Sequence, residues 1–97
     1  MLQTVLDKYV GYVVAINATD PNRLESCGLK AVEGSFFSVV TKNDWLIHVP
    51  YSRLISIVEN NKKEPLKISK GFGSVSAQVV IYVEHMLVEK GSIGLNL

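Results

Sequence analysis

The chain has 97 residues, of which ten are basic and nine acidic, so its formal net charge is +1 at pH 7. Hydrophobic residues make up 47% of it, which excludes a disordered chain and predicts one small domain. The balanced charge excludes the strong basic surface with which many proteins attract nucleic acid or anionic membranes.

The cysteine content and the length of the apolar runs limit the cellular locations that we expect for the protein. Cys27 is the only cysteine, so an internal disulfide and a secreted disulfide scaffold are excluded. The first ten residues, MLQTVLDKYV, lack a basic segment followed by an apolar one, so we expect no signal peptide. The longest apolar run, Val79 to Val83, is far shorter than the ~20 residues of a membrane helix. We therefore expect a cytoplasmic protein without a membrane partner.

The N-terminal segment combines a helical and an extended pattern. One helical face is formed by apolar residues at the spacing i, i+3, i+4 and i+7, namely Leu2, Val5, Leu6 and Tyr9. This predicts a helix over Leu2 to Lys8, with Gly11 at the transition to a strand over Val10 to Ile16. The residues from Asn17 to Cys27 are dominated by turn formers, including Pro21, and predict a loop.

The middle of the chain predicts four short strands separated by turns. They are Gly28 to Glu33, Phe36 to Thr41, Trp45 to Val49 and Leu54 to Val58. Pro50 has no N–H to donate, so we expect it to interrupt a strand ladder. The polar residues from Asn60 to Pro65 predict an exposed loop.

The C-terminal segment fits two patterns. Val75 to Val88 alternates with period two and is rich in β-branched residues, which favours a strand because such side chains lose rotamers in a helix. An amphipathic helix remains the alternative for the same residues. Short β runs with turns every eight to twelve residues predict a mainly β fold, either a sandwich or a small barrel.

The residues that could carry chemistry are few. His48 and His85 are the only histidines, and neither belongs to a spacing typical of a metal site, so we expect no metal and no cofactor. Cys27 beside a histidine could form a nucleophile pair, but a small buried hydrophobe is the more common role of a free cysteine. The lysines from Lys62 to Lys70 could bind the phosphate backbone of a nucleic acid, although such a stretch is more commonly a solvated loop.

The segment LIHVPYSRLISIVE has an apolar strand, a turn with Pro50 and Ser52, and a second strand with Ile55 and Ile57. Over residues 2–59 this order of elements resembles the Sm-like (Hfq/LSm-type) small β-barrel family. The resemblance implies a short N-terminal helix, a closed barrel of about five strands, ring-shaped homo-oligomers and RNA binding. The chain would then be one domain, with residues 1–61 forming the barrel and residues 66–97 packing on it or on a partner subunit.

Three hypotheses about function follow. The first is a non-enzymatic module of unknown ligand that assembles with copies of itself, because a small β domain must manage its free edges. The second is Sm-like RNA binding through His48, Tyr51 and Arg53, since aromatic rings stack on bases and Arg binds phosphate. The third is a small-molecule-binding protein or an enzyme with a pocket between the barrel and the C-terminal segment.

Overall fold

The computed structural model describes residues 2–20, 22–62, 64–70 and 73–85, and within them it is mainly β, as predicted. The elements are α1 (Leu2–Asp7), β1 (Val13–Asp20), β2 (Arg23–Val32), β3 (Phe36–Val40), β4 (Leu46–Pro50), a 3₁₀ turn (Tyr51–Arg53), β5 (Leu54–Glu59), β6 (Leu66–Lys70), β7 (Gly73–Ala77) and β8 (Val79–His85). Among the described residues, no helix has the length and apolar character needed to cross a membrane.

The strands form a large sheet and a small one. The large sheet has six strands in the order β4-β3-β2-β1-β8-β5, and β6 pairs with β7 in the small sheet. Every pairing between the described strands is antiparallel except that of β1 with β8, which is parallel. A parallel pair requires a long crossover, and here the chain from the end of β1 to the start of β8 includes all the other strands.

The expected closed barrel of about five strands is wrong, because neither sheet closes on itself. The cause is β8, which inserts between β1 and β5 and leaves β4 and β5 at opposite ends of the large sheet. Val80 and Ile81 are both fully buried although consecutive strand residues face opposite sides of a sheet. A strand that is apolar on both faces is stable at the centre of a sheet rather than at its edge.

Helix α1 confirms the predicted N-terminal helix and packs on the sheet through one residue. Leu6 is fully buried, whereas Leu2 on the same helix is 45% exposed. Gly11 follows with a φ of 92°, a conformation that favours glycine, and its N–H donates to the carbonyl of Leu29 at 2.8 Å. The chain turns there, so β1 begins at Val13 instead of the predicted Val10.

The predicted loop from Asn17 to Cys27 is wrong over most of its length. β1 continues to Asp20 and β2 begins at Arg23, and the two strands pair in register from Val13 opposite Gly28 to Ala18 opposite Arg23. The polar residues in these strands are stabilised by tertiary contacts. Asn17 accepts a hydrogen bond from the Lys70 ammonium at 2.5 Å, and Thr19 donates to the Glu84 carbonyl at 2.5 Å.

The large sheet has two apolar faces of unequal size. We call the face that holds the main core the inner face; its buried residues are Leu6, Val14, Ile16, Ala18, Cys27, Leu29, Phe37, Val39, Val49, Val79, Ile81 and Val83. The opposite, outer face holds a smaller cluster, formed by Ala15, Ala77 and Val80 with partly buried neighbours from β6 and β7. The β6–β7 hairpin therefore covers only part of the outer face.

The C-terminal segment is extended where the structure describes it. β7 and β8 replace the single strand expected over Val75 to Val88, and Gln78 separates them. Ala77 pairs with Leu66 in the small sheet, whereas Val79 pairs with Glu59 in the large one, so the chain changes sheets at Gln78. Residues 86–88 of the predicted strand lie outside the described residues. The division into residues 1–61 and 66–97 stays a prediction.

Candidate functional site

His48 is held on the outer face of the sheet by two residues of β3. Its Nδ1 lies 2.6 Å from the hydroxyl oxygen of Ser38, and its ring meets the Phe36 ring edge-on with 5.2 Å between centroids. Both contacts are between neighbouring strands, because Ser38 lies directly opposite His48 in the β3–β4 ladder. The ring is therefore oriented by the sheet itself.

Tyr51 points to the inner face instead. Its ring stacks on Phe37 with 6.0 Å between centroids, and its hydroxyl donates to the Glu33 carbonyl at 2.6 Å. Burial raises the pKa of Tyr51 above its ordinary value. Because Tyr51 packs beside Phe37 and His48 beside Phe36, and consecutive strand residues face opposite sides, the two rings are separated by the sheet.

Arg53 ends the 3₁₀ turn with an exposed side chain. Within the described part of the chain, no hydrogen bond, ion pair or ring contact joins His48, Tyr51 and Arg53 to one another. The structure thus does not bring the three predicted RNA contacts together on one face, and RNA binding through them stays a prediction.

The pair of Ser38 and His48 has the residue types of a nucleophile and its base. However, Ser38 is only 2% exposed, so its hydroxyl is closed off from a substrate. No carboxylate of the described residues hydrogen-bonds the His48 ring. We interpret the contact as one that orients His48.

Cys27 is a buried thiol on the inner face. Burial raises its pKa to about 12, and the nearby carboxylate of Glu25 acts in the same direction. At neutral pH the side chain is therefore protonated, whereas a cysteine nucleophile reacts as the thiolate. The side chain of His85, the other histidine of the predicted pairings, lies outside the described residues.

Metal binding finds no support in the described ranges. Among residues 2–20, 22–62, 64–70 and 73–85, no group of three His, Cys, Asp or Glu side chains could hold an ion. One carboxylate oxygen there, Oε2 of Glu25, is buried without a hydrogen bond, while Oε1 lies 3.6 Å from Arg23.

The two ends of the large sheet are its unpaired edges in the described part of the chain. Within the described residues, β4 and β5 each pair on one side only, with β3 and β8 respectively. Most of the exposed large hydrophobic residues of the sheet lie on or next to these two strands: Trp45, Leu46, Ile55 and Val58. An edge strand with exposed apolar side chains is a template for pairing with another chain.

Two backbone hydrogen bonds determine which groups of β4 face its free side. The Tyr51 N–H donates to the Ser35 carbonyl at 3.2 Å, and the Thr41 N–H donates to the Trp45 carbonyl at 2.9 Å. In an antiparallel ladder the residues that bond the neighbour alternate with residues whose N–H and C=O point away. Leu46, His48 and Pro50 therefore direct their backbone polar groups to the free edge.

Pro50 does not interrupt the ladder, contrary to expectation. It is the last residue of β4 and lies opposite Phe36. Since this position directs its nitrogen to the free side, the missing N–H removes no hydrogen bond between β3 and β4. Proline is tolerated in edge strands for this reason.

The free edge of β5 is less regular than that of β4. The β5–β8 register shifts between Leu54 and Ser56, which places a bulge at Ile55. At the other end of β5, the Glu59 carboxylate accepts hydrogen bonds from Lys8 at 2.8 Å and from Tyr9 at 2.5 Å. These contacts lower the pKa of Glu59 and raise those of Lys8 and Tyr9. Bulges and charged groups are the usual protection of an edge strand.

The uncovered part of the outer face contains a shallow groove. Val13, Gly28, Val40 and Leu46 form a row of residues in register across β1 to β4. A cavity of about 280 Å³ opens there, with Lys42 at its rim. A side chain added at Gly28 would meet no atom within 4 Å. A second cavity of about 270 Å³ lies between α1 and the turn that carries Tyr51.

The edge residues were missed by reasoning from the sequence. Leu46 and Ile55 look like any other apolar strand residue, and only the order of strands in the sheet makes them edge residues. The signal that could have found them is Pro50, which is confined to edge strands, strand ends and bulges.

No protein-family model, curated protein or solved structure matches the chain.

Proposed function

We propose that the chain is a non-enzymatic module that assembles with copies of itself through the free edges of its large sheet. The observation that carries the proposal is the open sheet itself, whose terminal strands β4 and β5 are each paired on one side only in the described part of the chain. Unpaired backbone groups beside exposed apolar side chains favour the addition of another strand.

The chemistry of the described residues supports binding over catalysis. The buried Ser38 hydroxyl and the protonated Cys27 thiol are both unsuited to attack a substrate. Four exposed apolar residues, in contrast, lie on or next to the edge strands where a second chain would cover them: Trp45, Leu46, Ile55 and Val58. Covering them would remove apolar surface from water, which is the main driving force of association.

Sedimentation equilibrium over a series of protein concentrations tests the proposal. A single chain has a mass of 10.7 kDa, and we expect a multiple of that mass at the upper concentrations. The mass should fall toward one chain on dilution. A mass of one chain at every concentration would overturn the proposal.

A second candidate function rests on the outer-face groove. The cavity above Gly28 could hold a small apolar molecule, and Lys42 at its rim favours one that carries an anionic group. An anionic naphthalene dye is a suitable probe, and Gly28→Val should abolish its binding by filling the groove. Gly34→Val, which fills the cavity between α1 and the Tyr51 turn, is the control and should leave binding unchanged. Equal binding by both variants would overturn this candidate.

A further inference from the structure

The two free edges of the large sheet, β4 and β5, differ in regularity and charge, and the difference favours β4 as the edge that pairs with a second copy. We propose that β4 pairs antiparallel with β4 of a second copy, about a two-fold axis that passes beside Ile47. The inference rests on the proposed function, since it names the edge and the register through which the chain would assemble. Closed two-fold dimers are the most common protein assemblies, and such a dimer uses the same patch on both copies.

The first argument is the set of backbone groups on the free side of β4. Leu46 and His48 each present an N–H and a C=O, whereas Pro50 presents only a C=O. With the axis beside Ile47, Leu46 of each copy lies opposite His48 of the other. The outward N–H of each residue then meets the outward carbonyl of its partner, and no outward donor or acceptor of these two residues is left unpaired.

Pro50 discriminates between registers. If the axis passed beside His48 instead, Leu46 would lie opposite Pro50 of the second copy. Proline has no N–H, so the Leu46 carbonyl would be left without a donor. The Pro50 ring would also occupy the place of that donor, and an unpaired carbonyl covered in this way costs free energy. The register beside Ile47 leaves the Pro50 carbonyl unpaired instead, opposite Asp44, whose N–H donates to Thr41. That carbonyl lies past the last bonded pair at each end of the ladder, where water satisfies it. Pro50 thus ends the ladder and sets its alignment.

The second argument is the distribution of charge along β4. The strand itself contains no charged residue, so pairing buries no charge. The exposed residues Asp44 and Arg53 flank the strand at opposite ends. Antiparallel pairing brings the Asp44 end of one copy to the Arg53 end of the other, whereas parallel pairing would bring like ends together. Lys42 follows β3 in the turn that joins β3 to β4, so it lies outside this register.

The third argument is that β5 is the poorer edge. Its bulge at Ile55 breaks the regular spacing of outward groups, and β4 pairs with β3 without any such shift. The Asn60 N–H donates to the Gln78 carbonyl of the chain next to β5. Because bonded and unbonded residues alternate along the strand, the backbone N–H and C=O groups of Ile57 and Glu59 point to the free side of β5. Glu59 already binds Lys8 and Tyr9 of the N-terminal segment, which places charges beside that edge.

A matched pair of lysine substitutions tests the assignment. Leu46 is 53% exposed on β4 and Ile55 is 54% exposed on β5, so lysine at either position leaves the core intact. In sedimentation equilibrium, with circular dichroism to confirm folding, we expect Leu46→Lys to halve the mass of the assembly and Ile55→Lys to leave it unchanged. If the unsubstituted chain assembles and the two variants show any other pair of masses, the inference is overturned and the proposed function still stands. A monomeric unsubstituted chain overturns both.

Crosslinking provides a second, independent test. If Leu46→Lys does not fold, crosslinking alone decides whether β4 pairs with β4 of a second copy. In a Cys27→Ala background, Ile47→Cys would lie opposite itself in a non-hydrogen-bonded pair. The Cα atoms of such a pair are about 4.5 Å apart, within the range of a disulfide. We expect oxidation to link Ile47→Cys chains into dimers and to leave the control, Ile57→Cys on β5, unlinked. A dimer from Ile57→Cys, or none from Ile47→Cys, overturns the inference.

Discussion

The ammonium group of Lys70 donates a hydrogen bond to the carbonyl oxygen of Ala18 at 2.9 Å. The same group donates to the side-chain oxygen of Asn17 at 2.5 Å. Lys70 ends β6, and both acceptors belong to β1 at the centre of the large sheet. One side chain therefore ties the β6–β7 hairpin to the strand on which it packs.

Replacing Lys70 by Met should loosen the hairpin without unfolding the large sheet. The apolar stem of the side chain is retained, while both hydrogen bonds are lost, at a cost of about 1 kcal/mol each in the free energy of unfolding. Amide exchange in β6 and β7 should become faster than in β1 and β8. Lys67→Met is the control, because Lys67 is exposed on the same strand, and it should leave exchange unchanged. Equal effects of the two variants would contradict this role for Lys70.

Leu6 should contribute more to stability than the short length of α1 suggests. It is the buried residue of a six-residue helix, and its side chain belongs to the main core. Leu6→Ala should lower the free energy of unfolding by about 3 kcal/mol, because it leaves a cavity beneath the helix. Urea unfolding measures the change. Leu2→Ala should cost less than about 1 kcal/mol, since half of that side chain is already in water.

Stability in acid should depend on Glu59. Hydrogen bonds from Lys8 and then Tyr9 hold the pKa of its carboxylate below the ordinary value of 4.5. Folding therefore favours the ionised form, so the contribution of Glu59 is present above pH 4.5 and is lost as the pH falls through the lower pKa of the folded state. Urea unfolding should show a difference between the unsubstituted chain and Glu59→Gln at neutral pH that shrinks in acid.

The control for Glu59 is Glu64→Gln, because Glu64 is an exposed acid of the β5–β6 loop. We expect this variant to follow the unsubstituted chain at every pH. A constant difference between Glu59→Gln and the unsubstituted chain from neutral to acid pH would contradict the assigned hydrogen bonds.

Cys27 should react with alkylating reagents only after unfolding. Burial raises the pKa of its thiol to about 12, against an ordinary value of 9.0, so the folded chain holds almost no thiolate at pH 8. Iodoacetamide labelling followed by mass spectrometry should be slow in buffer and rapid in urea. Labelling in buffer as fast as in urea would contradict the burial of Cys27.

The same shift predicts a loss of stability in alkali. The folded state favours the protonated thiol, so its contribution is complete below pH 9.0 and declines as the pH rises toward about 12. Cys27→Ala should be less sensitive to pH over this range when the free energy of unfolding is measured in urea. An identical pH dependence would show that the thiol does not contribute.

Local patterns predicted the elements whose own sequence carries the periodicity of their structure. The spacing of Leu2 and Leu6 indicated a helix, and α1 covers it. The apolar run after the turn at Arg53 indicated a strand, and β5 covers it. These segments carry the periodicity of their own structure, so each could be recognised without its neighbours.

The arrangement of the strands depends on contacts that no local pattern contains. The local sequence predicts a loop at Asn17 and Thr19. It cannot show that both are stabilised in a strand, because their hydrogen-bond partners, Lys70 and Glu84, lie more than fifty positions away. The insertion of β8 between β1 and β5 decides that the sheet stays open. A resemblance built on residues 2–59 could not foresee it, because the inserted strand β8 begins at Val79, beyond those residues.

The candidate site was only partly predictable for the same reason. His48 and Tyr51 are close along the chain, but the alternation of strand side chains places them on opposite faces. The free edges followed only from the strand order. From the sequence alone, Pro50 is expected to interrupt a ladder, although its lack of an N–H is equally compatible with an edge strand, which is where the structure places it.

The central claim, that β4 is a free edge on which a second copy assembles, is tested most directly by the exchange of individual amide protons. Ile47 and Val49 donate toward β3, so their amides should exchange slowly at every protein concentration. Leu46 and His48 face the free side, so their amides should exchange rapidly in dilute protein and become protected as the concentration rises. Rapid exchange of Leu46 and His48 at all concentrations would contradict the account.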